Sequence, residues 1–398
     1  MQVPAEDRIK RPQWLLLVII LSQFAVTSLW FAGNAVIDDL SRDWQLPPDA
    51  LGMVTSAVQL GFIVGTLIFA FLSLPDRFSP RKIFLFSAFA GSLCNVAITL
   101  IPPSYGLLLL FRFLVGFFLA GLYPVGMKIA AGWYQQGLGK ALGLLVGALV
   151  LGTAFPHLLQ SLDADWSWQA VIIAVSLLAA SGGILLYVYV ADGPYNRSGT
   201  PFNPKALVVI FRAKHFRASA FGYFGHMWEL YAFLAFVPLF LTAHLNTNGH
   251  DEINISLWAF LIIAAGFIGC SGGGYLSQWI GSSRVASAQL AISGLCCLLS
   301  PLMFFAPTPL LLAFLLIWGM TVSGDSPQFS TLNAQNAPPD LVGSALTIAN
   351  SIGVAITIVS IALLGYLLPL IETQYLFVFL LPGPLFGLYS MWPLLHQT

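Results

Sequence analysis

The sequence predicts an all-α membrane protein with twelve transmembrane helices in two pseudo-symmetric six-helix bundles, and three observations lead to this fold class. First, 58% of the 398 residues are hydrophobic and only 8% are Asp, Glu, Lys or Arg, whereas soluble domains carry about 25% charged residues. Second, the chain divides into twelve apolar stretches of membrane-spanning length. Third, its two halves share a pattern of spaced Gly and Pro residues. With equal numbers of acidic and basic side chains, the composition excludes a soluble enzyme and a nucleic-acid-binding protein.

The twelve stretches follow from cutting the sequence at its polar residues and at its Pro and Gly positions. A bilayer core of about 30 Å requires roughly 20 apolar residues per helix, and the runs show none of the two-residue alternation of barrel strands. The predicted spans are 13–37, 48–73, 81–101, 105–133, 138–160, 168–190, 217–244, 255–280, 285–305, 307–334, 342–368 and 375–395.

Charges between the spans predict the orientation. If the N-terminus lies in the cytoplasm, thirteen Lys and Arg residues fall on the cytoplasmic side and only Arg42 falls on the other. This distribution follows the positive-inside rule, so we expect both termini in the cytoplasm. The basic N-terminus leads into an apolar stretch without a small-residue cleavage site, which favours a retained first helix.

The longest polar break predicts the domain organisation. It covers residues 191–216 and contains Pro, Gly and several basic residues. We expect an N-terminal six-helix bundle over 1–190, a cytoplasmic linker over 191–216, and a C-terminal six-helix bundle over 217–398.

An internal repeat supports this division. The fourth span has a Gly-x4-Gly-x2-Pro pattern that returns in the tenth span at an offset of 203 residues. The residues are Gly116, Gly121 and Pro124, followed by Gly319, Gly324 and Pro327. Paired Gly and Pro interruptions at corresponding places in two halves are typical of a transporter whose site lies between the halves.

On these residues the chain resembles the major facilitator superfamily of secondary transporters, over its whole length. The loop after the second span resembles the family signature G-x-L-x-D-R-x-G-R-R/K, although Leu72 and Ser79 stand where glycines are usual. The resemblance implies alternating access, a bacterial inner-membrane location, and a cytoplasmic gate at this loop. The gate residues are Asp76, Arg77, Arg81 and Lys82.

Two further stretches, YPVGMKIAAGW and GDSPQFSTLNAQNAP, resemble bacterial members grouped with nitrate/nitrite porters. Those porters hold the anion with one arginine in the second helix and one in the eighth. Residues 48–73 and 255–280 contain no Arg or Lys here. The resemblance therefore does not extend to nitrate as the solute.

Ionisable residues inside the predicted spans are the first candidates for function, because a charge at membrane depth costs at least about 2.5–3.5 kcal/mol and usually faces a wet cavity or a partner. His226 and Glu229 are three residues apart and share a helix face. Glu229 is a candidate proton carrier, with His226 tuning it or binding solute; the alternative is a structural pair. Asp325 lies at a predicted kink before Pro327. It either carries a proton or holds a cation, or it forms an ion pair with a buried Arg or Lys.

Two basic residues share the fourth span. Arg112 has a planar donor fork suited to a carboxylate, and the resemblance implies a role in proton coupling; an ordinary structural pair is the alternative. Lys128 lies about 160° away around an ideal helix. We expect it to contact an anionic solute or to pair at the cytoplasmic gate.

Aromatic and amide side chains complete the predicted substrate site. They belong to the first, fourth and seventh spans, and simple packing is the alternative for each. The residues are Trp30, Asn34, Tyr123, Trp228 and Tyr231.

The sequence thus predicts a secondary active transporter that moves a small solute, an organic anion, across the inner membrane by alternating access. Protonation of Glu229 or Asp325 would couple the movement to the proton gradient. The alternative is a multidrug/proton antiporter that exports amphipathic compounds. We expect no enzymatic activity, cofactor or metal, and a monomer whose partners are the solute, protons and membrane lipid.

Overall fold

The computed structural model describes residues 12–134, 138–162, 166–195, 206–248 and 253–395. Within these ranges every regular element is helical, and twelve helices correspond to the twelve predicted spans. They are α1 (Leu15–Thr27), α2 (Ala50–Phe71), α3 (Pro80–Ala97), α4 (Tyr105–Trp133), α5 (Leu138–Leu162), α6 (Trp168–Tyr189), α7 (Lys214–Asn248), α8 (Ile255–Ile280), α9 (Ser282–Phe304), α10 (Thr308–Asn336), α11 (Val342–Leu367) and α12 (Pro382–Leu395). Ten spans in the described ranges are long and apolar enough to cross a membrane by themselves.

The first span differs from its prediction. A single helix was expected over 13–37, but α1 ends at Thr27 and the chain continues through two short helices, Ala32–Ala35 and Ile37–Trp44. The Thr27 hydroxyl donates to the carbonyl of Gln23 at 2.8 Å, and the Ser28 hydroxyl donates to that of Ala25 at 2.6 Å. Such side-chain bonds to backbone carbonyls compete with the helical hydrogen-bond pattern, and α1 ends at these two residues.

Helices α4 and α10 are each interrupted at corresponding places. α4 consists of Tyr105–Leu119 and Tyr123–Trp133, and α10 consists of Thr308–Gly324 and Ser326–Asn336. A proline follows each interruption at the start of the second segment, where its missing N–H costs least. The predicted kink at Asp325 is confirmed.

The glycine repeat corresponds to two equivalent helix crossings. A Cβ atom on Gly116 of α4 would lie 2.0 Å from the carbonyl oxygen of Val58 in α2. A Cβ atom on Gly319 of α10 would lie 2.0 Å from the carbonyl oxygen of Ile262 in α8. Both helix pairs touch backbone to backbone, which only glycine permits. This contact explains why the two halves keep glycine at the same offset.

The two halves meet chiefly along two pairs of helices, α2 with α11 and α5 with α8. A short helix, Ala206–Arg212, precedes α7 and packs against α7 and α11. Residues 196–205 of the predicted linker lie outside the described residues, so the exact division at 191–216 stays a prediction. Below, the Asp76 end denotes the end of the protein that carries the helix Leu74–Arg77, and the Asp39 end denotes the end that carries Ile37–Trp44.

Candidate functional site

A cavity with two lobes lies between the two halves of the protein. The smaller lobe has a volume of about 70 Å³ and the larger about 480 Å³, and Tyr123, Tyr223 and Asn350 line both. Helices α4 and α5 of the first half and α7, α10 and α11 of the second half contribute to its walls. Met127 beside Lys128 and Leu346 in the first turns of α11 line the larger lobe, which therefore extends towards the Asp76 end.

Stacked aromatic rings close the smaller lobe towards the Asp39 end. The Trp30 ring stacks on Tyr231 with ring centroids 5.5 Å apart, and Phe31 stacks on the same tyrosine at 6.2 Å. Trp30 also contacts Phe62 of α2 at 4.9 Å. Since Trp30 and Phe31 follow α1 and Tyr231 belongs to α7, this aromatic layer joins the two halves. Trp30 and Tyr231, both predicted for the site, line the smaller lobe.

A separate cavity of about 680 Å³ lies on the other side of the aromatic layer, and its walls include Asn34 and His157. The Asn34 amide donates to the Thr55 hydroxyl at 2.7 Å. Asn34 therefore belongs to the Asp39 end rather than to the central cavity.

A buried acid–histidine pair adjoins the smaller lobe. His226 Nδ1 lies 2.8 Å from Asp325 Oδ1, and both side chains are fully enclosed. His226 Nε2 lies 2.9 Å from the hydroxyl of Ser326, which lines the lobe. A hydroxyl both donates and accepts, so Ser326 connects the cavity wall to the His226–Asp325 pair.

Glu229 lies one helical turn from His226 and points into the second bundle. Its carboxyl group accepts hydrogen bonds from Trp318 Nε1 at 2.6 Å and from the Ser293 hydroxyl at 2.9 Å. The side chain has no exposed surface, and both donors are neutral. His226 contacts Asp325, and Glu229 bonds to partners on two other helices. Of the two alternatives for Glu229, this geometry corresponds to structural bonds that bridge to a neighbouring helix, and its role as a proton carrier tuned by His226 stays a prediction.

Arg112 is held away from the cavity by backbone carbonyls. Its guanidinium group donates to the carbonyl oxygens of Leu29 at 3.1 Å and Trp30 at 2.7 Å, and to Asn95 Oδ1 at 2.9 Å. These carbonyls follow the end of α1, where a helix leaves its last acceptors unpaired. Arg112 thus fixes the backbone that carries Trp30. Arg112 lines neither lobe of the cavity, and its contact with solute stays a prediction.

Lys128 reaches the predicted gate loop. Its ammonium group donates to the carbonyl oxygen of Pro75 at 2.7 Å and forms an ion pair with Asp76. Of the two alternatives for Lys128, this geometry corresponds to the pair at the gate. Both residues line a further cavity with the first turn of α11 at the Asp76 end.

The other gate residues have different surroundings. Arg81 Nε lies 3.9 Å from Asp192, and its guanidinium group covers the ring of Tyr187 at 5.2 Å. Arg77 and Lys82 are exposed. The signature loop therefore supplies one ion pair to α4 and one to the segment after α6.

Trp228 lies outside the cavity. It donates to the carbonyl oxygen of Phe379 at 3.2 Å, next to α12. Three lining residues that the sequence did not single out are Tyr223, Ser326 and Asn350. Uncharged polar residues are common in membrane helices, so only their position at the interface between the halves distinguishes them.

Comparisons with known proteins agree with this architecture. The family model described as Major Facilitator Superfamily matches residues 15–361. An Escherichia coli protein named "Probable galactarate/D-glucarate transporter" is 23% identical over 75% of this chain and 74% of its own. The "Probable L-galactonate transporter" of the same species is 22% identical over 74% and 69%, respectively. The "Hexuronate transporter" of Bacillus subtilis is 22% identical over 69% and 66%.

Proposed function

Because this chain belongs to the major facilitator superfamily, a family of transporters and not of enzymes, we propose that it moves a small organic acid across the bacterial inner membrane by proton-coupled alternating access. The observation that carries the proposal is the Ser326 hydroxyl, which belongs both to the cavity wall and to the buried His226–Asp325 pair. A solute in the cavity and a proton on this pair would thereby influence each other.

Alternating access is supported by the distribution of open space. The cavity extends towards the Asp76 end, while the aromatic layer of Trp30, Phe31 and Tyr231 closes the opposite side. Opening the Asp39 side requires Trp30 and Tyr231 to separate, and closing the Asp76 side requires α4, α10 and α11 to approach. The positive-inside rule supports a cytoplasmic location for the Asp76 end, which carries the basic loops, so the larger lobe would face inward.

The ion pair between Asp76 and Lys128 is the proposed cytoplasmic gate. It ties the loop after α2 to α4 and borders the start of α11. Rearrangement of this pair would accompany movement of α11 against α2, one of the two contacts that join the halves.

Proton coupling is assigned to the acids of the second bundle. Asp325 lies at the break in α10 and contacts His226, while Glu229 is held by neutral donors. Carrying one full charge across 100 mV is worth about 2.3 kcal/mol, which shifts an equilibrium several tens of fold. Protonation of Asp325 or Glu229 is therefore sufficient to bias the change between the two access states.

The organic-acid class is supported by the relatives, whose names specify galactarate, D-glucarate, L-galactonate and hexuronate. Export of amphipathic compounds by proton antiport is the second candidate. The largely apolar and aromatic cavity favours it, since Phe62, Val146 and Leu230 stand among the lining residues. Amphipathic cations that stabilise the protein better than acids do would favour this second candidate.

Uptake into proteoliposomes tests the proposal. The protein is reconstituted, an outside-acid gradient of one pH unit is imposed, and entry of radiolabelled D-glucarate and 4-hydroxyphenylacetate is compared with protein-free liposomes. One coupled proton supports up to about tenfold accumulation per pH unit. Protein-dependent uptake that is the same with and without the gradient would contradict the coupling.

A further inference from the structure

The smaller lobe contains polar groups that have no partner within the protein. Trp30 is 2% exposed and lines the lobe, yet its indole Nε1 has no hydrogen-bond partner. The buried hydroxyl of Ser323, another lining residue of this lobe, also has no hydrogen-bond partner among the described residues. Leaving a buried donor unpaired is unfavourable, so an occupant of the lobe that offers acceptor atoms would satisfy these groups.

The unpaired indole is held in a fixed position. Arg112 donates to the Trp30 carbonyl oxygen at 2.7 Å, and the ring lies between Tyr231 and Phe62. Its N–H is therefore oriented before any solute arrives, which reduces the entropy lost on binding.

Asn350 supplies a second oriented donor. The Tyr223 hydroxyl donates to Asn350 Oδ1 at 3.1 Å, so the acceptor side of this amide is occupied. The NH2 group of Asn350 is therefore the part of the amide that can donate to a bound molecule. Asn350 lines both lobes of the cavity. Tyr123 and Tyr231, which each carry a hydroxyl group, also line the smaller lobe. An oxygen-rich head group would meet several neutral donors.

The cavity walls offer no compensating charge. Among the described residues that line the two lobes there is no Asp, Glu, Lys or Arg. Arg112 is bonded to carbonyls and Lys128 to Asp76. The nearest ionisable groups are His226 and Asp325, which pair with each other behind Ser326. Neutral donors are able to replace the water around one carboxylate, but a second carboxylate would be removed from water with no cationic side chain on the described walls, which is strongly unfavourable.

The larger lobe suits an apolar body. Met127, Leu142, Val146 and Leu346 are among its walls, and its volume is about 480 Å³, within the range of small-ligand sites. The smaller lobe, at about 70 Å³, has room for a head group rather than for a whole solute.

We infer that the solute is an amphipathic monocarboxylate, bound with its carboxylate among Trp30, Tyr231 and Asn350 and its apolar body in the larger lobe. The inference rests on the proposed transport of an organic acid and narrows it. The proposed solute of this chain thus differs from galactarate and D-glucarate, the solutes in the name of one relative, because both of those are dicarboxylates.

A thermal-shift series with the purified protein tests the inference. The probes are 4-hydroxyphenylacetate, its neutral amide 4-hydroxyphenylacetamide, and D-glucarate, each from 0.1 to 10 mM. The acid should raise the melting temperature at tenfold or more lower concentration than the amide or D-glucarate. A larger shift with D-glucarate would overturn the inference and leave the proposed organic-acid transport standing. An amide as effective as the acid, or no shift with any probe, would also overturn it.

Variants locate the head group. Trp30→Phe keeps a ring in the stack but removes the N–H together with part of the indole, so the free protein should melt at a lower temperature. Its affinity for 4-hydroxyphenylacetate, measured below that melting temperature, should be about tenfold weaker. Trp279→Phe is the matched control, because Trp279 is 73% exposed on α8 and lines neither lobe. Equal affinities of the two variants would contradict the assignment of the carboxylate to Trp30.

Discussion

Replacing Arg112 by methionine distinguishes a structural role from a solute-binding role for the most deeply buried cation. The guanidinium group satisfies three buried acceptors, the carbonyls of Leu29 and Trp30 and the Asn95 side chain. Each buried acceptor left unpaired costs about 1–3 kcal/mol. Three unpaired acceptors should lower the free energy of unfolding by about 3–9 kcal/mol. Methionine also removes the cost of burying a charge, which offsets part of this loss.

Thermal unfolding in detergent is the assay, with Arg42→Met as the matched control. The Arg42 side chain is 76% exposed, and it pairs with Asp39 and donates to the carbonyl oxygen of Asp38 within its own short helix. Such surface pairs contribute about 0–1 kcal/mol. Arg112→Met should melt several degrees below Arg42→Met, and Arg112→Lys should fall between them, because one ammonium group cannot reach all three acceptors. Equal melting temperatures combined with loss of acid binding would refute the capping role and restore Arg112 as an anion ligand.

Three further predictions concern other parts of the molecule. Lys128→Met should impair transport but change the free energy of unfolding by no more than about 1 kcal/mol, because its ion pair with Asp76 is partly exposed. Exchanging the charges of Lys128 and Asp76 should recover uptake in proteoliposomes. A charge swap that is as inactive as the single variant would argue against the gate. Gly319→Ala should lower the melting temperature, since its Cβ would lie 2.0 Å from a carbonyl of α8, whereas Gly343→Ala meets nothing within 4 Å and should not; equal melting temperatures would contradict the close crossing. Partial desolvation and the neighbouring Asp39 carboxylate raise the pKa of the exposed Asp38 side chain, so its ionisation opposes folding above the ordinary pKa of about 3.9. Solvent screens this effect, so Asp38→Asn should raise the melting temperature only slightly at pH 7, and the gain should vanish towards pH 3. A gain that grows on acidification would contradict this sign.

Hydropathy was sufficient to predict the twelve helices because an apolar segment within a bilayer must satisfy its own backbone hydrogen bonds. The repeat was also visible, since the crossings at Gly116 and Gly319 tolerate no side chain. The early end of α1 was not predicted. It depends on hydrogen bonds from the Thr27 and Ser28 hydroxyls to nearby carbonyls and on Arg112 from a distant helix. Hydropathy carries no information about either contact.

The buried acids were visible in the sequence because ionisable residues are rare at membrane depth. Their partners were not, since the contact of His226 with Asp325 joins residues nearly one hundred positions apart. Tyr223 and Asn350 carry no unusual sequence signal, and they became candidates only through their shared place in the cavity wall.

The most direct test of the central claim compares gradient-driven uptake with solute exchange in proteoliposomes. Labelled 4-hydroxyphenylacetate is used with the wild type, Glu229→Gln and Asp325→Asn, and with Glu372→Gln as an exposed control. If these acids carry the coupling proton, at least one of the two buried variants should retain exchange but lose accumulation driven by the pH gradient, while the control behaves like the wild type. Accumulation by both buried variants at the wild-type level would contradict proton coupling through the second bundle.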